Sequence, residues 1–82
     1  MRNFPHNARH QALIKLLIEL RKETNLYQAD LALKLDRPQS YVSKYENGER
    51  RLDWVDVNLI LDALGYDLVY FSKRYKTAIK GK

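Results

Sequence analysis

Residues 37–50 read RPQSYVSKYENGER. A proline at one end and a glycine near the other bracket a short helix, because proline suits a first helical position and glycine supplies a left-handed stop. Between them Gln39, Ser40, Tyr41, Ser43 and Lys44 offer amide, hydroxyl and ammonium groups on a helix with little apolar face to bury. Such groups donate and accept hydrogen bonds. Bond-breaking chemistry has no counterpart in the sequence: there is no P-loop, no nucleophile with a paired base and no metal constellation. His6 and His10 are four apart, but without cysteine or a further histidine they are too few to hold a metal. The chemistry on offer is recognition. Neither catalysis nor a cofactor is expected.

Charge suggests what is recognised. Lys34, Arg37, Lys44, Arg50 and Arg51 gather around the polar helix, whereas Asp53 to Asp67 holds four acids and no base. Residues 1–72 carry all ten acids and ten bases, so the formal charge of +5 comes from Lys73, Arg74, Lys76, Lys80 and Lys82. A basic face, an acidic face and a basic tail suit an anionic polymer as partner.

The elements that position these groups come from a short chain. Eighty-two residues make one domain with a thin core, which a partner subunit would support. The absence of cysteine fits a reducing compartment. MRNFPHNARH lacks the apolar run of a signal peptide, and ALIKLLIEL is broken by Lys15 and Glu19 and is too short to span a bilayer. A cytoplasmic, nucleoid-associated protein with no membrane contact is expected.

Residues 1–7 read as an N-terminal arm, with Asn7 a candidate N-cap. Leu13, Leu16, Leu17 and Leu20, flanked by Ile14 and Ile18, predict a first helix over 8–23. YQADLALKL predicts a second over 27–35, with Leu31, Ala32 and Leu35 facing inward, and a third runs from Pro38 to Asn47. Asp53 with Asp56 forms a capping-box pattern ahead of a fourth helix, Trp54–Leu64, whose apolar side is read as Val55, Leu59, Ile60 and Leu64. Trp54 is expected to anchor a core or an interface. YDLVYFS, residues 66–72, is rich in aromatic and β-branched types, which favours a strand over a fifth helix. A lone strand needs a partner, and a second copy of the chain supplies one, so Tyr66, Leu68, Val69, Tyr70 and Phe71 are expected at a dimer interface. Residues 73–82 read as a disordered basic tail, either a solubilising end or a further contact.

Two short helices joined by a tight turn form a helix-turn-helix pattern, whose second helix can be polar because it faces a DNA major groove. YQADLALKLDRPQSYVSKYENGER in particular resembles the lambda-repressor-like (Cro/repressor, Xre) family. The matching features are Gln28, Leu31-Ala32, Leu35, the run from Ser40 to Lys44, and Glu46-Asn47-Gly48, within residues 13–65. The resemblance implies an all-α domain of four or five helices over residues 8–65, a homodimer and double-stranded DNA as partner. It implies that Gln28 bonds a phosphate and braces the next side chain, and that Gln39 and Ser40 reach base edges. Lys44 would reach a base or a phosphate. Tyr41 and Ser43 would flank that face toward phosphates. Asn47, the amides opening the fourth helix, and Arg50 or Arg51 would hold the backbone farther along. Arg21 and Glu46 match a structural pair. Glutamine can bond adenine through two atoms, and lysine can donate to guanine.

Two functions follow from the resemblance: a transcriptional repressor reading an inverted repeat, or an antitoxin that binds its own promoter and holds a toxin protein. The second is suggested because Ala63-Leu64-Gly65 followed by an apolar strand is similar to the arrangement in antitoxins of persistence-type kinase systems.

Overall fold

A computed structural model describes residues 7–80, which form five helices and no strand: α1 Asn7–Glu23, α2 Gln28–Leu35, α3 Gln39–Glu46, α4 Trp54–Leu64 and α5 Leu68–Ala78. Residues 1–6 of the expected arm, with His6, lie outside the described residues, as do residues 81–82. Asn7 is already within α1.

The helices start and stop where local chemistry requires it. Asp36 closes α2 at φ 57°, its N–H reaching the Leu33 carbonyl at 3.1 Å while the Arg37 N–H reaches that of Ala32 at 3.0 Å. Pro38 is the N-cap of α3, one position before the helical site that its ring geometry suggested. Gly48 follows α3 at φ 80°, a value that a side chain would strain. The expected capping box of α4 forms: the Asp56 N–H donates to Asp53 at 2.8 Å and the Asp53 N–H to Asp56 at 3.0 Å.

The core is Ile14, Leu16, Leu17 and Leu20 of α1, Leu31 and Ala32 of α2, Val42 and Tyr45 of α3, four residues of α4, and Phe71. On α4 the buried side is Val57, Ile60, Leu61 and Leu64. Ile60 and Leu64 were expected there. Val55 and Leu59 point outward instead, 63% and 48% exposed. With eight apolar residues in eleven, α4 has two apolar arcs, and periodicity alone does not choose between them. Trp54 is also outside the core, 64% exposed.

The strand expected over 66–72 is a helix. Gly65 ends α4 at φ 83°, and Asp67 caps α5 by accepting from the Val69 and Tyr70 N–H groups at 2.9 and 3.2 Å. A cap of this kind is worth about 1 kcal/mol. Phe71, Tyr75 and Ala78 then recur at helical spacing against α1, with Phe71 buried and Tyr75 and Ala78 partly so. The helix also absorbs residues 73–78 of the tail that the sequence left disordered. Arg74 fastens it to α1, donating to Glu23 at 2.9 and 3.1 Å and to Glu19 at 3.4 Å. Tyr66 stacks on Tyr70 at 5.5 Å, and Arg74 lies 5.8 Å over the Tyr70 ring. Phe71 therefore belongs to the core of its own chain, and pairing of strands across a dimer has no strand to use.

Candidate nucleic-acid interface

The α2–turn–α3 unit is held from beneath by one carboxylate. Glu46 accepts from Arg21 Nε at 2.7 Å and Nη2 at 2.9 Å, and from Gln28 Nε2 at 2.8 Å. Arg21 also donates to the Leu26 carbonyl, ahead of α2, at 2.9 Å. One network thus ties α1, the start of α2 and the end of α3. The Arg21 and Glu46 side chains are 9% and 5% exposed, and their hydrogen bonding holds the guanidinium pKa above its ordinary value. Gln28 is partly buried, with one amide hydrogen committed to Glu46. That bond runs to the end of α3, not to the neighbouring side chain that Gln28 was expected to brace.

Val42 and Tyr45 hold α3 by its inner face, both fully buried. The Tyr45 hydroxyl has no hydrogen-bond partner among the described residues, and burial pushes its pKa well above the tyrosine norm. The outer face presents Gln39, Ser40 and Lys44, all exposed, with Ser43 partly so. Ser40 and Lys44 are one turn apart and lie on the same side. These are the side chains able to enter a groove.

At the edges the placement is more particular. Tyr41 is partly buried, packed edge-on against Tyr45 at 5.7 Å, with a pKa raised chiefly by burial. The Arg37 and Arg50 guanidinium carbons lie 4.8 and 5.0 Å from its ring centroid. Arg50, Arg51 and Asn47 are exposed beyond the end of α3. Of the amides opening α4, expected to meet a phosphate, one is engaged within the protein. The Asp56 N–H is taken by the Asp53 carboxylate, and two acids occupy that end. Arg37 was read only as part of a basic cluster; its place four residues before Tyr41 is the signal that pairs them.

Among the described residues no group of three histidine, cysteine or acidic side chains could hold a metal, and no helix is long and apolar enough to cross a membrane.

A family model described as a helix-turn-helix domain matches residues 13–69. The fold is similar to a solved Xre-family-like protein from Pseudomonas syringae pv. tomato, 42% identical over 90% of each chain, with a TM-score of 0.83. It is also similar to the restriction-modification controller protein C.Esp1396I, 25% identical over 88% of this chain and 90% of that one, with a TM-score of 0.76. A tetramer of that controller has been solved with its natural 35 base-pair operator, and its chain matches at a TM-score of 0.75. None of the curated proteins compared matches significantly.

Proposed function

This chain belongs to the Xre-like helix-turn-helix family, and from that premise we propose that it is a DNA-binding transcription regulator, a repressor that reads an inverted repeat as a homodimer. One observation carries the reading. The exposed side of α3 is Gln39, Ser40 and Lys44, and its inner side is fixed by Val42, Tyr45 and the Arg21–Glu46–Gln28 network. Rigidly held amide, hydroxyl and ammonium groups suit base edges in a major groove. Ser43, Asn47 and Arg51 border that face and would take phosphates. The similar controller protein solved on its operator supports DNA as the partner. A cytoplasmic, nucleoid-associated location goes with this role.

The dimer rests on apolar side chains left outside. Leu68, Val69 and Tyr70 on α5 and Trp54, Val55 and Leu59 on α4 are all exposed. A second copy would remove them from water. The domain measures 33 × 30 × 21 Å, so two copies side by side can space their α3 helices by the ~34 Å that separates successive major grooves. The antitoxin alternative leaned on a strand after Gly65, and α5 stands in its place.

Fluorescence anisotropy against duplex from the protein's own upstream region, beside a scrambled duplex, tests the reading. A repressor of its own gene binds the upstream duplex at least ~10³-fold more tightly. Equal, weak binding to both with a steep salt dependence overturns sequence reading.

A further inference from the structure

Tyr41 carries two cations that no role above accounts for together. Arg37 comes from the turn before α3 and Arg50 from the segment after it, and their guanidinium carbons stand 4.8 and 5.0 Å from the same ring centroid. Both arginines are exposed, and neither is ion-paired among the described residues, where the pairs involve Arg21 and Arg74. The nearby Asp56 carboxylate is engaged by the Asp53 N–H.

A cation over an exposed aromatic ring gains only ~0.5–1 kcal/mol, and two like charges on one ring repel. Among the described residues Asp56 is close enough to act on Tyr41, but no carboxylate is ion-paired with either arginine. The arrangement also opens beside the start of α3, where Pro38 gives no side-chain cap and the first amides have no intrahelical acceptor. A guanidinium held over a ring keeps N–H groups that can bond a phosphate through two contacts.

We propose that Tyr41 is a platform that sets Arg37 and Arg50 as a paired phosphate clamp, holding one phosphate or two successive ones of a strand that passes the start of α3. The inference rests on the DNA-binding reading, and it assigns Arg37 a contact and Tyr41 a positioning role. Stacking orders both arginines before DNA arrives, so less side-chain freedom is lost on binding. The clamp reads no base. It fixes how α3 enters the groove.

The test is a salt series of anisotropy titrations on a fixed random-sequence duplex, which needs DNA binding but not operator recognition. Arg37→Gln and Arg50→Gln should each make the slope of log affinity against log salt shallower by about 0.9. Tyr41→Leu, which keeps both charges, should bind more weakly at unchanged slope, and Arg37→Gln should then cost less than it does in the native chain. Arg37→Lys, which keeps the charge without the flat stacking plane, should also weaken binding at unchanged slope and leaves the core untouched. Thermal melts establish that each variant is folded.

An unchanged slope for Arg37→Gln overturns the clamp. Additive effects of Arg37→Gln and Tyr41→Leu, with Arg37→Lys silent, overturn the platform. Loss of preference for the upstream duplex over the scrambled one fails the repressor reading alone, because the slopes are measured on random sequence. A protein that binds no duplex ends both.

Discussion

Arg21 and Glu46 lie 25 residues apart and meet through two hydrogen bonds of 2.7 and 2.9 Å, so the end of α1 and the end of α3 are joined by one buried bidentate pair. Glu46→Ala would leave the Arg21 charge buried and unpaired, at a cost of about 3–5 kcal/mol in urea denaturation. The double change Arg21→Met with Glu46→Leu should restore most of that stability. It should not restore DNA affinity, because Gln28 has lost its acceptor. A double variant with native affinity would mean that the network serves the fold alone.

Gln39 is expected to read a base. Gln39→Ala should lose about 1–3 kcal/mol on the upstream duplex and blur preference at one position. On random duplex the loss should be small. Competition titrations with single-position operator variants measure this, and an equal loss on every sequence would remove Gln39 from base reading.

Two neighbours on α5 should respond in opposite ways. Val69 is 60% exposed and Phe71 is 4% exposed. Val69→Asp should give a folded monomer by sedimentation equilibrium. Phe71→Ala should instead destabilise the chain by about 3–5 kcal/mol by emptying a core position. A dimer that persists in Val69→Asp, and also in Leu68→Asp, would place the interface elsewhere.

Tyr45 buries a hydroxyl that finds no partner among the described residues. Tyr45→Phe keeps the ring against Tyr41 and removes the desolvated group, so stability should rise by about 1 kcal/mol, or roughly 5 °C in Tm. The folded pKa of Tyr45 lies above the ordinary value of 10.0. The unfolded chain therefore ionises first, and stability is lost as pH rises from that value toward the higher folded one. Melts across alkaline pH should show this loss in the native chain, and a smaller one in Tyr45→Phe.

Glu23 gives the acid counterpart. Its hydrogen bonds from Arg74 hold its carboxyl below the usual glutamate value. The unfolded chain then takes up the proton more readily. The stabilisation is present above the ordinary glutamate pKa and disappears as pH falls through it toward the lower folded value. Comparing Tm against pH for the native chain and Glu23→Gln isolates this contribution. Identical profiles would show that the exposed pair contributes nothing.

Four of the five helices were legible because their signals are local. Leucine spacing marked α1, Asp53 with Asp56 opened α4, and Gly48 and Gly65 closed helices at positive φ. Arg21 with Glu46 was legible through the family pattern, but the third member, Gln28 on the same carboxylate, needed coordinates. The inward face of α4 is not legible in the sequence, because Val55 and Leu59 fit an apolar stripe as well as Val57 and Leu61 do. The strand expected at 66–72 has a different origin. Residue types within the segment favour a strand, while Arg74, Tyr75 and Ala78, which complete the helical pattern of Tyr66, Tyr70 and Phe71, lie beyond it. A window that ran on into the basic tail held that signal.

Among the described residues of α5, Phe71 alone is buried, and the polar bonds to α1, from Arg74 to Glu23 and from Tyr75 to the Arg9 carbonyl, are exposed. The surface proposed to join two copies is thus carried by a weakly docked element. Amide exchange should be faster in α5 than in α1, and the difference should shrink as protein concentration rises. A regulator that joined two copies through α5 would couple the docking of this helix to its own abundance, because each dimer formed would steady α5 in both members.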